Sequence, residues 1–172
     1  MRAAGVLPWL VLGCLAVGMG ALWWRRRRED AQRTVAWEAL ARGFMLGFDE
    51  GSRSIRGRYR LLRLEITASR ALFGLGSWVT RVSAQYEGVV PEGLALEGSR
   101  GGLRASARTP ETLGRWLDAQ GRRELLPPLL VGGVHVSGHT LTVDTPGLLA
   151  DPEALRTLLG QLAELAKLLS LR

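Results

Sequence analysis

An α+β domain behind one N-terminal transmembrane helix, with an antiparallel sheet carrying helices on one face, is the fold class predicted by this 172-residue sequence. Three observations carry that expectation. Residues 3–24 contain no charged side chain. Between residues 54 and 144, apolar and polar residues repeatedly alternate with a period of two, as half-buried strands do. The chain then closes on a leucine-rich segment with helical periodicity.

The apolar run comes first. At about 1.5 Å per residue, Ala3 to Trp24 makes roughly 33 Å of helix, enough for a hydrocarbon core of about 30 Å. A cleaved secretory signal would have a shorter apolar core and a small-residue cleavage site. Here the run ends in Trp23 and Trp24, an aromatic belt, followed by Arg25, Arg26, Arg27 and Arg28. An uncleaved anchor is the expectation. The arginine block places the C-terminal side in the cytoplasm and the amino terminus outside. Ala16 and Gly20, four residues apart, would let two such helices approach closely.

Charge is distributed unevenly. The net charge is +7, yet residues 1–28 hold five arginines and no acid, leaving 18 basic and 16 acidic side chains for the rest. The basic balance therefore belongs mostly to the membrane flank and argues poorly for nucleic acid. Cys14 is the sole cysteine, so no disulfide can form within the chain.

The sequence divides into an anchor with its basic flank (1–28), a juxtamembrane helix and loop (29–52) and an α+β domain (53–172). Trp37, Leu40, Ala41 and Phe44 share one helical face, and Gly43 and Gly47 break that helix before a loop over 49–52. From Ser54 the period changes to two, with apolar parity flipping near Arg60-Leu61, which predicts two short strands joined there. Trp78, Thr80, Val82, Ala84 and Tyr86 mark the next strand. A hairpin follows, Gly93–Glu97 against Leu103–Arg108, through a glycine-rich connection.

Thr109-Pro110-Glu111 reads as a helix start, with Thr109 as N-cap and proline at the first position. A short helix over 123–126 is expected to stop before Pro127-Pro128. In Val134 to Asp144, Gly138-His139 suits a two-residue turn that pairs Ser137 with Thr140 and His135 with Thr142. Asp151-Pro152-Glu153 starts the final helix. It should pack on the sheet through Leu158, Leu162 and Leu165, the apolar stripe being too wide and too short for a coiled-coil seam.

Candidate chemistry is sparse. His135, Ser137 and Asp144 share one strand face, but no nucleophile elbow accompanies them, so no catalytic residue is assigned. Two histidines without cysteines or a carboxylate cluster give no metal site, and no cofactor is expected. The Gly98–Gly102 stretch lacks the Gly-Lys-Ser/Thr of a phosphate loop.

The outstanding local feature is basic. Seven arginines lie between Arg53 and Arg81 against one acid, Glu65. Arg53, Arg56, Arg58, Arg60 and Arg63 are the candidate site for an anionic surface, with Arg56, Arg58 and Arg60 sharing a face if their strand extends that far. Such a patch suits anionic lipid or an acidic protein, or is a plainly solvated face, and the acids of residues 29–50 partly balance it. RNA is disfavoured because no set of stacking aromatics accompanies the arginines.

The helix with Trp37, Leu40 and Ala41, the Ile55-x-Gly57 strand start and the closing Asp151-Pro152-x-x-Leu155 helix together resemble uncharacterised bacterial single-span membrane proteins with a small α+β domain of unknown function. That resemblance implies a fold and a bacterial origin and carries no activity. The functional expectation is a membrane-anchored, cytoplasm-facing, non-catalytic binding or adaptor module. Its alternatives are a membrane-tethered hydrolase-like enzyme or an assembly subunit acting through its span or C-terminal helix.

Overall fold

The computed structural model describes residues 18–20, 23, 24, 27, 28, 31, 34–70, 77–99 and 102–171. The chain forms two compact units, residues 1–36 and 37–172.

In the first unit the described residues are helical. Trp23 and Trp24 are exposed, and the guanidinium groups of Arg27 and Arg28 lie 5.1 and 5.4 Å from their ring centroids, one helical turn on. Arg25, Arg26 and most of the expected span lie outside the described residues. Among the described residues no helix is long and apolar enough to cross a membrane.

The second unit is an α+β fold built on one eight-stranded antiparallel sheet. A helix over residues 34–43 (α1) leads into it. Next come β1 (Gly47–Asp49), β2 (Ser54–Tyr59), β3 (Leu62–Arg70), β4 (Trp78–Gln85), β5 (Ala95–Ser99) and β6 (Gly102–Ser106). They are followed by α2 (Pro110–Asp118), α3 (Arg122–Leu129), β7 (Val134–Ser137), β8 (Thr140–Pro146) and α4 (Pro152–Ser170). The strand order is β1-β2-β3-β4-β8-β7-β5-β6.

Side-chain alternation makes the sheet two-faced. One apolar ladder runs Phe48–Ile55–Ile66–Val82–Val143–Val134 across six strands, each residue the register partner of the next. Five of the six are buried, Phe48 being partly so, and they join one core with the α4 leucines and with Leu126 and Leu130 of the α3 region. The opposite parity is exposed or half-exposed from Arg56 to Arg104. Helices thus cover one face, and the other faces water.

Several expectations hold as read. The β2–β3 turn is Arg60-Leu61, with Tyr59 paired to Leu62. The Gly138-His139 turn pairs Ser137 with Thr140 and His135 with Thr142, Gly138 taking a positive φ of 53°. Asp151 caps α4, its Oδ1 accepting from the Glu153 N–H at 3.0 Å. Leu162 and Leu165 are buried as expected, together with Leu155, Leu159 and Leu169; Leu158 packs only at the margin of the core.

Other elements differ. The Gly47 break continues into β1, because Gly47, Phe48 and Asp49 pair with Arg56, Ile55 and Ser54; three residues are too few to display a period. The Gly98–Gly102 connection is mostly strand, with Gly98 opposite Leu103 and Ser99 opposite Gly102. Thr109 starts α2 in extended conformation, but its side chain makes no capping bond. Finally, α3 does not stop before Pro127: it runs through both prolines to Leu129. The carbonyls that lose N–H partners belong to the exposed residues Arg123 and Glu124, where water can replace them, while Leu126 and Leu130 anchor the turn in the core. Trp37, Leu40 and Ala41 of the expected juxtamembrane helix are buried in the second unit's core.

Candidate functional site

The uncovered sheet face is read best as rows across the strands. The central row runs Arg56–Glu65–Ser83–Thr142–His135–Glu97–Arg104, and the next toward the Arg60-Leu61 end runs Arg58–Arg63–Gln85–Thr140–Ser137–Ala95–Ser106. Four arginines of this face, Arg56, Arg58, Arg63 and Arg81, fall into two groups.

The first group is neutralised within the face. Arg56 donates to Glu65 Oε1 from Nε at 2.8 Å and Nη2 at 2.6 Å, with Asp49 Oδ2 3.9 Å from its Nη1. Arg81 grips Asp144 with both fork nitrogens, at 2.7 Å each. That grip holds the Asp144 carboxyl below the usual carboxylate range and raises the Arg81 guanidinium, each mainly through the shared hydrogen bonds.

Arg58 and Arg63 form the second group. They sit directly opposite one another on β2 and β3. Both are exposed, and among the described residues neither has a carboxylate within ion-pair distance. Like charges in this position repel at Cβ separations of about 4.5–5.5 Å.

The remaining candidates lie elsewhere. Strand β2 ends at Tyr59, so Arg60 leaves the face that it was expected to share with Arg56 and Arg58. It adopts a φ of +54° in the turn and lies 5.5 Å from the Tyr59 ring centroid. Arg63 instead joins Arg58 on this face from β3, directly opposite it. Arg53 occupies the β1–β2 turn at a φ of +51°. Of the described acids in residues 29–50, Asp49 lies beside Arg56, while Glu38 pairs with Arg42 at 2.8 Å.

Two shallow depressions meet at Arg58, Arg63 and Gln85. One, of about 500 Å³, extends along the face past Arg56 and Ser83. The other, of about 730 Å³, opens toward the sheet end and adds Arg60, His139 and Thr140. His139 is anchored there by its Nε2, 3.0 Å from the Gly88 carbonyl oxygen. Tyr86 forms part of the floor, its buried hydroxyl donating to the Gly138 carbonyl at 2.8 Å and pushed well up in pKa by burial.

A hydrolytic set does not assemble. His135, Ser137 and Asp144 do share the exposed face, but Asp144 is committed to Arg81 and orients no histidine. Among the described residues no group of three or more His, Cys, Asp or Glu side chains is placed to hold a metal ion. Gln85 and Thr140 were not singled out in the sequence. The signal for their neighbours was present, since a two-residue turn at Arg60-Leu61 pairs Tyr59 with Leu62 and therefore Arg58 with Arg63.

Comparison of the chain with family models, with curated proteins and with solved structures found no match in any of the three.

Proposed function

We propose that this chain is a membrane-tethered, cytoplasm-facing, non-catalytic binding module, and that an anionic partner docks on its uncovered sheet face at Arg58 and Arg63. The observation that carries the reading is the opposed pair itself. Two unneutralised arginines side by side cost stability in the free protein, and a partner's negative charge removes that cost. The apolar run at residues 3–24, with its Trp23–Arg28 flank, supports tethering, and only eight residues separate Arg28 from Trp37, the start of the second unit.

The test uses the full chain in nanodiscs of zwitterionic lipid. It is expected to bind anionic vesicles or an acidic polypeptide such as polyglutamate, with affinity falling as salt rises. Arg58→Glu combined with Arg63→Glu should abolish that binding. Absence of salt-sensitive binding to both surfaces rejects the reading. Orientation is checked separately with a fusion after Arg172: periplasmic phosphatase activity without cytoplasmic fluorescence rejects the cytoplasmic placement.

A further inference from the structure

We infer that the depression between Arg58, Arg63, Gln85 and Thr140 is a binding site for a terminal phosphate group; this rests on the binding-module reading and names its ligand chemistry. The four residues are successive register partners, so they stand side by side on one exposed row of β2, β3, β4 and β8.

The donor inventory selects the ligand. A carboxylate has two oxygens and is satisfied by a single guanidinium fork, as Asp144 is by Arg81 on this same face. Arg58 and Arg63 project from directly opposed positions and, among the described residues, neither has an acceptor of its own; an amide and a hydroxyl follow along the same row. A terminal phosphate offers three oxygens and a charge of about −1.5 to −2 near neutral pH. It can accept from both forks together and balance both charges, where a single carboxylate leaves one arginine uncompensated.

The surroundings fit a ligand larger than the phosphate alone. The depression at the sheet end, about 730 Å³, continues past Arg60 and the exposed Leu61 toward His139, within the roughly 300–1,000 Å³ typical of small-ligand sites. Among the described residues its lining holds three arginines against one acid, Glu87. The rest of the ligand therefore has room along the turn, beside the exposed Leu61.

The same chemistry is available from a phosphomonoester lipid headgroup or from a soluble phosphate-bearing molecule. The test is nuclear magnetic resonance of the arginine Nε–H groups in the full chain, in zwitterionic nanodiscs, titrated with inorganic phosphate and, separately, with acetate. Phosphate should move the Arg58 and Arg63 signals while leaving Arg56 and Arg81 in place. Acetate should bind about tenfold more weakly, and Arg58→Gln or Arg63→Gln should each weaken phosphate by about tenfold or more. Gln85→Ala should weaken it a few-fold.

Equal response to acetate, or unchanged phosphate binding in both arginine variants, overturns the inference. If phosphate leaves both signals unmoved while anionic vesicles or polyglutamate still need these arginines, the phosphate claim fails and the binding module stands. Loss of every interaction removes both. Nanodiscs doped with phosphatidate, compared at equal charge with phosphatidylserine, separate the sources. Shifts matching those of free phosphate in phosphatidate discs alone assign a lipid headgroup. Shifts with dissolved phosphate but with neither disc assign a soluble ligand.

Discussion

The guanidinium of Arg122 lies 4.6 Å from the ring centroid of Trp116, stacked where α2 and α3 approach the end of α4. It is 2% exposed, and among the described residues its hydrogen-bond partners are backbone oxygens: Trp116 at 3.0 Å, Leu168 at 3.3 Å and Leu171. A cation is thus supplied to the negative end of α4 by a neighbouring helix. Burial lowers the Arg122 pKa, because the site withdraws solvation from the cation.

Arg122→Met keeps much of the aliphatic volume but leaves those carbonyls without donors. It should destabilise the protein by about 2–4 kcal/mol. Urea unfolding of the full chain in mild detergent measures this, and Lys at the same position should recover only part of the loss because it has no planar fork.

Arg63→Glu makes the opposite trade. It replaces a repulsive cross-strand pair with an attractive one, so stability should rise by roughly 0.2–1 kcal/mol. Binding of phosphate or of an anionic surface should disappear in the same variant. A paired melting and binding measurement checks both signs, and a fall in both would mean that the arginines serve the fold.

Gly98 and Gly57 predict contrasting responses to alanine. A Cβ at Gly98 would lie 2.5 Å from the Leu130 carbonyl oxygen, where the end of α3 rests on β5, and backbone cannot yield cheaply. Gly98→Ala should cost about 1–3 kcal/mol. At Gly57 the nearest atom is Leu46 Cδ2 at 2.7 Å, the end of a side chain that can rotate, and the cost should be smaller. Their melting midpoints rank the two.

Leu162→Ala removes a fully buried side chain from the middle of α4 and should cost about 2–5 kcal/mol. Leu158→Ala, at the core margin, should cost clearly less. Equal losses would contradict the packing of α4 described above.

The Arg81–Asp144 pair predicts an acid-side effect. Asp144 has its pKa lowered in the folded state, so its contribution is fully present above the unfolded carboxylate value near 3.9 and is lost as pH falls through the folded value. Both side chains are about half exposed, at 59% and 45%, which keeps the contribution below about 1 kcal/mol. Wild type should therefore exceed Asp144→Asn slightly in stability above pH ~5. The gap should close in more acid solution and narrow with added salt.

Local sequence carried much of the fold. Parity within 54–67 located both strands and the turn between them, and Gly138-His139 located the last hairpin, because alternation and turn chemistry act between neighbours. Proline and acid at residues 110–111 and 152–153 marked two helix starts for the same reason. Strand β1 escaped because three residues show no period, and α3, expected over 123–126, runs past that range because burial of Leu126 and Leu130 outweighs two prolines. The site was half legible: its arginines stood out by count, but which of them keep their charge depended on neighbours.

By itself, then, the sequence determined an apolar N-terminal run with a basic flank, the class of the domain and an excess of arginine over residues 53–81. Tertiary structure alone decided that β4 lies beside β8, which brings Gln85 and Thr140 into line with Arg58 and Arg63. It also decided that Arg81 meets Asp144 across 63 positions of chain, so that its charge is cancelled. The reason is physical: periodicity and turns are set by adjacent residues, whereas charge compensation and pocket shape depend on register between strands distant in sequence, which the packing of the buried face selects.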